Sequence, residues 1–387
     1  MSLLRRVFIA FVVVFYGLWQ WLLGVWQVRV RRLDRKVAGE TTGAATLPAE
    51  PQRIAIVAVY SSPPSLPFTL NLLRALLATD FVVIVVSGRP IEPSLREELV
   101  EQCHWLFERV GVGHDFGSYK MVLSWLDQHA EQFKTAETLI LANDSVFYPK
   151  CCQAEIERML RTPANWQAMS QSFESTHHAQ SFFLLFRQPV FQSAAFRNFW
   201  LDYRAYSWRW HRVHRGEIRL SSALLGAGFT PEVAYKSLRL VEALLNNYSG
   251  WDLKWLAEIS PTHDPEFGRD GVFSNAAKSI LADARTLGAD LAKAHSFMQK
   301  KWVYWWAHQM ETTNPMHTTG LILNVALHAP IKRDICYRGF YDISQIIRLA
   351  AGFEEAELDA MRRDLNLRAL PVSYHGLDRL LRRASGL

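Results

Sequence analysis

The chain has 387 residues, a formal net charge of +6 and 49% hydrophobic residues. That length holds one large catalytic domain with extensions, or two modest domains, around a sizeable core. Much of the positive charge sits in one short stretch, Arg29, Arg31, Arg32, Arg35 and Lys36. Such a collar argues against a nucleic-acid partner and for anionic lipid headgroups or the phosphates of a nucleotide-linked substrate. The four cysteines (Cys103, Cys151, Cys152, Cys336) form no CxxC pair and no zinc spacing, which fits a reduced, cytoplasmic catalytic portion.

In chain order, the first predicted element is the uncharged stretch Val7–Val28, long enough as a helix to cross ~30 Å of hydrocarbon. Five basic residues follow it closely, so the main domain should stay on the cytoplasmic side. The run ends in Gln-Val-Arg and lacks the small-residue site a signal peptidase needs. Gly17, Gln20, Gly24 and Gln27 share one helical face. That stripe suits a helix–helix contact, and it equally suits a segment lying in the interface with Trp19, Trp21 and Trp26 at headgroup level. Residues 1–36 are therefore read as a membrane anchor with a basic collar. Residues 37–52, rich in Gly, Thr, Ala and Pro, are read as a linker.

Beyond the linker, Ile54–Tyr60 is an apolar run of the kind buried on both faces of a parallel sheet. A helix around Leu66–Ala78, a strand Phe81–Ser87, a helix Glu92–Cys103 and a strand Trp105–Val110 follow. Tyr119–Phe133 suits a helix, and Thr138–Ala142 a strand that ends abruptly in Asn143-Asp144-Ser145. This alternation predicts an open α/β sheet with right-handed crossovers and a ligand beyond the carboxyl ends of its strands. Both polar motifs, His114–Lys120 and Asn143–Ser145, fall there. Further on, Trp166–Ser172 and Ser181–Phe186 read as strands. Phe191–Tyr203 and Glu217–Leu225 read as helices, the latter stopped by Gly226 and Gly228. From about Asn246 the chain mixes aromatic-rich helices with loops.

Three motifs carry candidate chemistry. Gly113-His114-Asp115-Phe116-Gly117-Ser118-Tyr119 joins a strand end to a helix start. Its glycines permit close backbone approach to a ligand and the helix start offers N–H groups to an anion; alternatively Asp115 or Ser118 simply caps the helix. In Asn143-Asp144-Ser145 a carboxylate at a strand end can hold a divalent cation on a diphosphate, or the Asn-Asp pair forms a turn. Glu217, at a helix start, is placed either as a general base for an acceptor hydroxyl or as an acid favoured by the helix dipole. The histidines are scattered and show no metal-binding spacing. Neither a Ser-His-Asp arrangement nor a P-loop supports a hydrolase or an ATPase.

HDFGSYK at 114–120, LILANDSVFYP at 139–149, HAQSFFLLF at 178–186, NPMH at 314–317 and APIKRDI at 329–335 resemble the rhamnan synthesis protein F family. Its members are glycosyltransferases of bacterial cell-surface polysaccharide assembly, including O antigens. The order of elements is also similar to the wider family-2 glycosyltransferases. The implied fold class is α/β: a GT-A-like open mixed sheet flanked by helices (53–240), with one N-terminal membrane-associated helix. A mainly helical C-terminal part (241–387) would complete the acceptor side.

By this resemblance His114, Asp115, Gly117, Ser118, Tyr119, Asn143 and Ser145 contact the nucleotide-sugar donor. Asp144 holds the diphosphate or its Mg²⁺ or Mn²⁺, Glu217 is the catalytic base, and Gln180, Ser181 and His317 lie on the acceptor side. The implied reaction is inverting transfer of a sugar, with L-rhamnose from a dTDP donor as the expected case, to a lipid-linked or growing glycan. It would take place at the cytoplasmic face of the bacterial inner membrane. The motif has Asn where Asp-x-Asp has its first acid, and Gly-Glu where the wider family has Glu-Asp. The competing readings are a non-catalytic scaffold subunit of a polysaccharide assembly complex and a sugar-phosphate transferase.

Overall fold

The computed structural model describes residues 3–30, 37–60, 62–109, 112–174, 176–247, 291–338 and 340–368, with Ile259 besides. Of the expectations above, Arg31–Lys36 of the basic collar and most of 248–290 lie outside the described residues. In chain order the strands are β1 (Val37–Thr42), β2 (Arg53–Val59), β3 (Val82–Ser87), β4 (Trp105–Arg109), β5 (Thr138–Asn143), β6 (Val146–Phe147), β7 (Trp166–Ala168), β8 (Gln171–Ser172), β9 (His178–Ala179), β10 (Phe183–Arg187), β11 (Glu232–Val233) and β12 (Ile331–Lys332). The helices are α1 (Leu3–Val25), α2 (Leu66–Leu77), α3 (Pro93–Glu101), α4 (His114–Gln128), α5 (Cys152–Arg161), α6 (Gln188–Phe191), α7 (Ala194–Asp202), α8 (Arg209–His211), α9 (Arg219–Gly226) and α10 (Ser237–Asn247). After these come α11 (Leu291–Thr312), α12 (Pro315–Thr318), α13 (Gly320–Leu327), α14 (Ile343–Leu349) and α15 (Glu355–Leu367).

Eight strands form one mixed sheet in the order β1-β4-β3-β2-β5-β10-β7-β11. Its centre, β4 to β5, is parallel. β10 runs antiparallel to both β5 and β7, and β1 antiparallel to β4. The period of two along β2 explains its unbroken apolar run. Ala55, Val57 and Val59 enter the cluster that contains Leu73 of α2 and Ile156 of α5. Ile54, Ile56 and Ala58 enter the one holding Phe116 of α4 and Phe199 of α7. With helices on both faces, every position of β2 after Arg53 is a core position.

Several expected boundaries move. Val37–Thr42 is an edge strand paired with β4, although its composition reads as linker; an edge strand needs only backbone partners, so it lacks an apolar signal. α4 begins at His114 rather than Tyr119, so the HDFGSYK motif forms its first two turns. Glu217 lies in a π-helical turn, Arg212–Ile218, that leads into α9.

The N-terminal stretch is helical, as α1, and its small-residue stripe faces the domain. A Cβ on Gly24 would stand 2.9 Å from the Tyr206 ring, and one on Gly17 3.4 Å from Trp208. Val28 packs with Val112 and Tyr206. Phe15, Leu18, Trp19, Trp21 and Leu22 are exposed on the remaining surface. Among the described residues no helix is long and apolar enough to cross a membrane.

Candidate active site at the sheet switch point

Chain order reverses between β2 and β5: β3 and β4 lie to one side of β2, and β5 to the other. In open α/β sheets ligands bind in the crevice this reversal opens at the carboxyl ends of the strands. Tyr60 follows β2 there, and Asn143-Asp144 close β5. The two strand ends are tied across the crevice, because the Tyr60 N–H donates to Asp144 Oδ2 at 2.8 Å and the Asp144 N–H to the Ala58 carbonyl at 3.2 Å.

The N-terminus of α4 enters the same crevice through two consecutive left-handed residues, Gly113 (φ 85°) and His114 (φ 50°). A side chain at 113 would also meet Ala205 Cβ at 2.5 Å. Beneath this turn lies the buried Arg109 guanidinium, whose Nη1 donates to the His114 carbonyl and to Ser118 Oγ, both at 3.1 Å. Its Nη2 donates to the Val112 carbonyl. Gly117 faces that guanidinium directly. Gly117 and Ser118 thus seat Arg109, and Lys120 donates to the carbonyls of Leu201 and Tyr203 near the end of α7. His114 Nε2 lies 3.0 Å from the Ser207 carbonyl; burial, then Arg212, pushes this imidazole below its ordinary value.

Asp115 is the member of the motif that faces the acids and amides of the crevice. Asn143 Nδ2 donates to Asp115 Oδ2 at 3.0 Å and approaches the Tyr119 hydroxyl at 3.3 Å. Asn143 Oδ1 accepts the Ser145 N–H at 3.0 Å. The Ser181 hydroxyl lies between two carboxylates, 3.0 Å from Glu217 Oε1 and 3.3 Å from Asp115 Oδ2. With one proton it donates to one of them at a time. Glu217 Oε2 also stands 3.6 Å from His178 Nε2. The opposite ring nitrogen, Nδ1, donates to the Thr176 carbonyl at 2.7 Å.

Between these acids lies Arg212, its Nε 3.8 Å from Asp115 Oδ1. Burial works against its charge, and Asp115 and Glu217 more than restore it. Asp115, Asn143, Ser181 and Glu217 therefore form one connected polar group, joined to Asp144 through the turn of β5. π-helical turns are rare and frequent at functional sites; here one such turn carries both Arg212 and Glu217.

The C-terminal motifs close the crevice from the far side. Arg333 grips Asp364 with Nε and Nη2, at 3.0 and 2.6 Å. Its Nη1 donates to the Asp144 carbonyl at 2.9 Å and stands 3.5 Å from Asp144 Oδ2. His317 Nε2 pairs with Asp334 Oδ1 at 2.9 Å. Burial alone would raise Asp334, but His317, Lys332 and Arg209 hold its carboxyl well below the usual carboxylate range. Gln180 is buried and donates to Asn314 Oδ1 at 2.7 Å. Gln180 and His317 thus tie sequence blocks together, whereas Ser181 sits among the acids. Sequence reasoning gave no role to Tyr60, Arg212, His178 or Arg333. For His178 and Arg333 the signal was present, since both lie inside quoted motifs.

The expected Mg²⁺ or Mn²⁺ would sit at Asp144, and the residues around it fit such an ion poorly. The carboxylate oxygen that takes the Tyr60 N–H also faces a buried guanidinium. A divalent cation bound there would share its carboxylate with Arg333, whose Nη1 already stands 3.5 Å from Oδ2. The neighbouring Asn143 amide is turned to Asp115 and supplies no second carboxylate. Among the described residues no three His, Cys, Asp or Glu side chains are grouped to hold a metal. The side chains around Asp144 are arranged for an arginine.

Comparison with known proteins bears out the resemblance read from the motifs. The family model described as rhamnan synthesis protein F matches residues 83–249, which include β4, β5, α4, Ser181 and the π turn. Over 231 residues the chain is 27% identical to the uncharacterized protein y4gN of Sinorhizobium fredii (strain NBRC 101917 / NGR234). That match covers 56% of this chain and 59% of the relative, so the chain spans less than two thirds of its length.

Proposed function

From its similarity to the rhamnan synthesis protein F family, we propose that the chain is a glycosyltransferase of rhamnan-type cell-surface polysaccharide synthesis. It transfers a sugar, L-rhamnose from a dTDP donor in the simplest case, to a lipid-linked or growing glycan. The observation that carries this reading is the convergence of Asp115, Ser181 and Glu217 beside Asp144 at the switch point between β2 and β5.

The donor lies across the carboxyl ends of β2 and β5, against the first turn of α4. Glu217 takes the proton of the acceptor hydroxyl as that oxygen attacks the anomeric carbon. The bond from that carbon to the diphosphate oxygen breaks, and the electron pair leaves with the nucleoside diphosphate. Attack opposite the leaving group inverts the anomeric centre. Ser181, 3.0 Å from Glu217 Oε1, orients the carboxylate, and Asp115 stands on the other side of the same hydroxyl.

α1 lies on the cytoplasmic face of the bacterial inner membrane, its glycine face on the domain and its exposed Phe, Leu and Trp side chains in the lipid. Two observations support this: the exposed apolar surface of α1 and the basic residues that follow it in the sequence. Lipid-linked acceptors reside there.

The test measures nucleoside diphosphate release from a panel of nucleotide sugars with a membrane-extract acceptor, beside Asp144→Ala and Glu217→Gln. Release from one donor, lost in Glu217→Gln by about 100-fold or more, is the expected result. Absence of both release and donor binding would sink the enzyme reading in favour of a scaffold subunit. Release of a nucleoside monophosphate would identify a sugar-phosphate transferase.

A further inference from the structure

Asp144 already faces Arg333, so the question is which group meets the charge of a donor's diphosphate. Arg333 cannot be that group. Its Nε and Nη2 are engaged by Asp364, its Nη1 by the Asp144 carbonyl, and the residue is buried. Its work is to fix Asp144 against the C-terminal motif. Arg109 is likewise committed, to the carbonyls and hydroxyl under α4.

Arg212 differs from both. Among the described residues none of its side-chain nitrogens makes a hydrogen bond, the buried Nε included. A guanidinium offers five N–H donors in a fixed fork, and leaving such a group unbonded in a crevice is costly. What holds Arg212 is charge alone: Asp115 at 3.8 Å and Glu217 on the same π turn. The side chain is 23% exposed, so the fork is open to something entering the crevice. Tyr60, the residue that ties β2 to Asp144, also feels its charge.

A ligand suited to this group is anionic, with paired acceptor oxygens spaced to take several N–H donors at once. Phosphate oxygens meet that description, and arginine binds them in bidentate fashion. A cation between a carboxylate and a diphosphate is also the arrangement a metal ion provides in metal-dependent sites. Here Arg212 stands next to Asp115 in that relation.

We propose that Arg212 provides the counter-charge for the donor's diphosphate, in place of a divalent cation on Asp144. This rests on the glycosyltransferase reading above and specifies how that site binds its donor. Arg212 bridges the Asp115 carboxylate and the diphosphate oxygens, and it meets the negative charge that builds on the leaving oxygen as the sugar–oxygen bond breaks. The π turn sets Arg212 and Glu217 five residues apart, so donor binding and proton acceptance are positioned by one short element.

The test uses the full chain and titrates dTDP, UDP and GDP, followed by calorimetry, in excess EDTA and again with Mn²⁺. The nucleosides thymidine, uridine and guanosine serve as phosphate-free controls. The expected result is that at least one diphosphate binds in EDTA, and that Mn²⁺ changes its Kd by less than about threefold. Arg212→Gln should weaken that binding about 10- to 100-fold, the loss expected for charge-assisted hydrogen bonds, while the parent nucleoside binds as before. Arg212→Lys should recover part of the loss.

Binding that tightens about tenfold or more with Mn²⁺ overturns the proposal and leaves the glycosyltransferase reading standing. An Arg212→Gln chain that binds the diphosphate like the wild type overturns it equally. No diphosphate binding under either condition removes the donor-site reading beneath it. The wild-type comparison of EDTA with Mn²⁺ decides the metal question even if a variant fails to fold.

Discussion

Gly117→Ala tests whether the first turns of α4 are built around Arg109. Alanine is intrinsically better than glycine in a helix by about 0.8–1 kcal/mol, so propensity alone predicts stabilisation. The packing predicts the reverse. A Cβ at 117 would press into the Val112 carbonyl oxygen and stand 2.6 and 2.7 Å from the two terminal nitrogens of Arg109. Those nitrogens donate to Val112, His114 and Ser118, so the guanidinium cannot withdraw without giving up hydrogen bonds. Overpacking costs about 1–3 kcal/mol, and one lost charge-assisted hydrogen bond about 1.5–3 kcal/mol. After the propensity gain the net destabilisation is about 2–5 kcal/mol. Urea unfolding of the full chain, followed by far-ultraviolet circular dichroism, measures it. Gly226→Ala is the control: that glycine ends α9, and a methyl group added there would meet nothing within 4 Å, so the change should stabilise by about 0.4–1 kcal/mol. If Gly117→Ala proves as stable as Gly226→Ala, the account of the motif is wrong.

The other predictions concern charge, pH and the N-terminal helix. Arg333→Met should destabilise by about 3 kcal/mol, because it leaves Asp364 and Asp144 short of a buried cation. Adding Asp364→Asn should recover part of that loss in a double-mutant cycle, and strict additivity would contradict the pairing. His104 Nδ1 accepts the Val83 N–H at 3.0 Å and its Nε2 donates to the Thr46 carbonyl at 3.2 Å. Burial lowers its pKa, so its contribution is complete above the unfolded value of ~6.5 and is lost as pH falls through the folded one. Accordingly, His104→Gln should flatten the fall in unfolding free energy below pH ~6.5; an unchanged slope would exclude His104 as its source. In flotation with phosphatidylserine-containing vesicles, Trp19→Asp with Leu22→Asp should release the chain. Gly24→Leu, which strikes Tyr206 instead of the exposed face, should float normally but melt earlier. Equal flotation of both variants would refute the assignment of the two faces.

How much of this was legible in the sequence follows from what kind of signal each part leaves. The parallel centre of the sheet was readable because β2, β3 and β5 are buried on both faces and so appear as short unbroken apolar runs. Their alternation with helices was enough to bring Asn143-Asp144 and the start of α4 to one crevice. β1 was not readable, since an edge strand held by backbone hydrogen bonds to β4 needs no apolar side chains. The start of α4 was missed for a related reason. Two left-handed residues and a buried arginine beneath the first turn replace the usual side-chain cap, and the glycines look like loop residues until Arg109 is seen against them. The π turn could not be inferred from helical periodicity, although it is what brings Arg212 alongside Glu217.

The least legible contacts are those between distant motifs, and they bear most on function. Arg333 reaches Asp144 across 189 residues, a separation that no local pattern encodes. Yet the motifs were recognisable as blocks before their purpose was. Gln180 of one block holds Asn314 of another, and His317 of that block holds Asp334 of a third. Each block therefore carries residues whose partners lie in the next. The lone acid of Asn143-Asp144-Ser145 illustrates why this matters. Read locally, it is an Asp-x-Asp motif with one ligand gone. Placed beside Arg333, it is a carboxylate whose partner is an arginine, and the missing first acid is an amide employed to hold Asp115. The departure from the metal-binding pattern and the basic residue in the C-terminal motif are then two halves of one arrangement, and a substitution at either should be felt at the other.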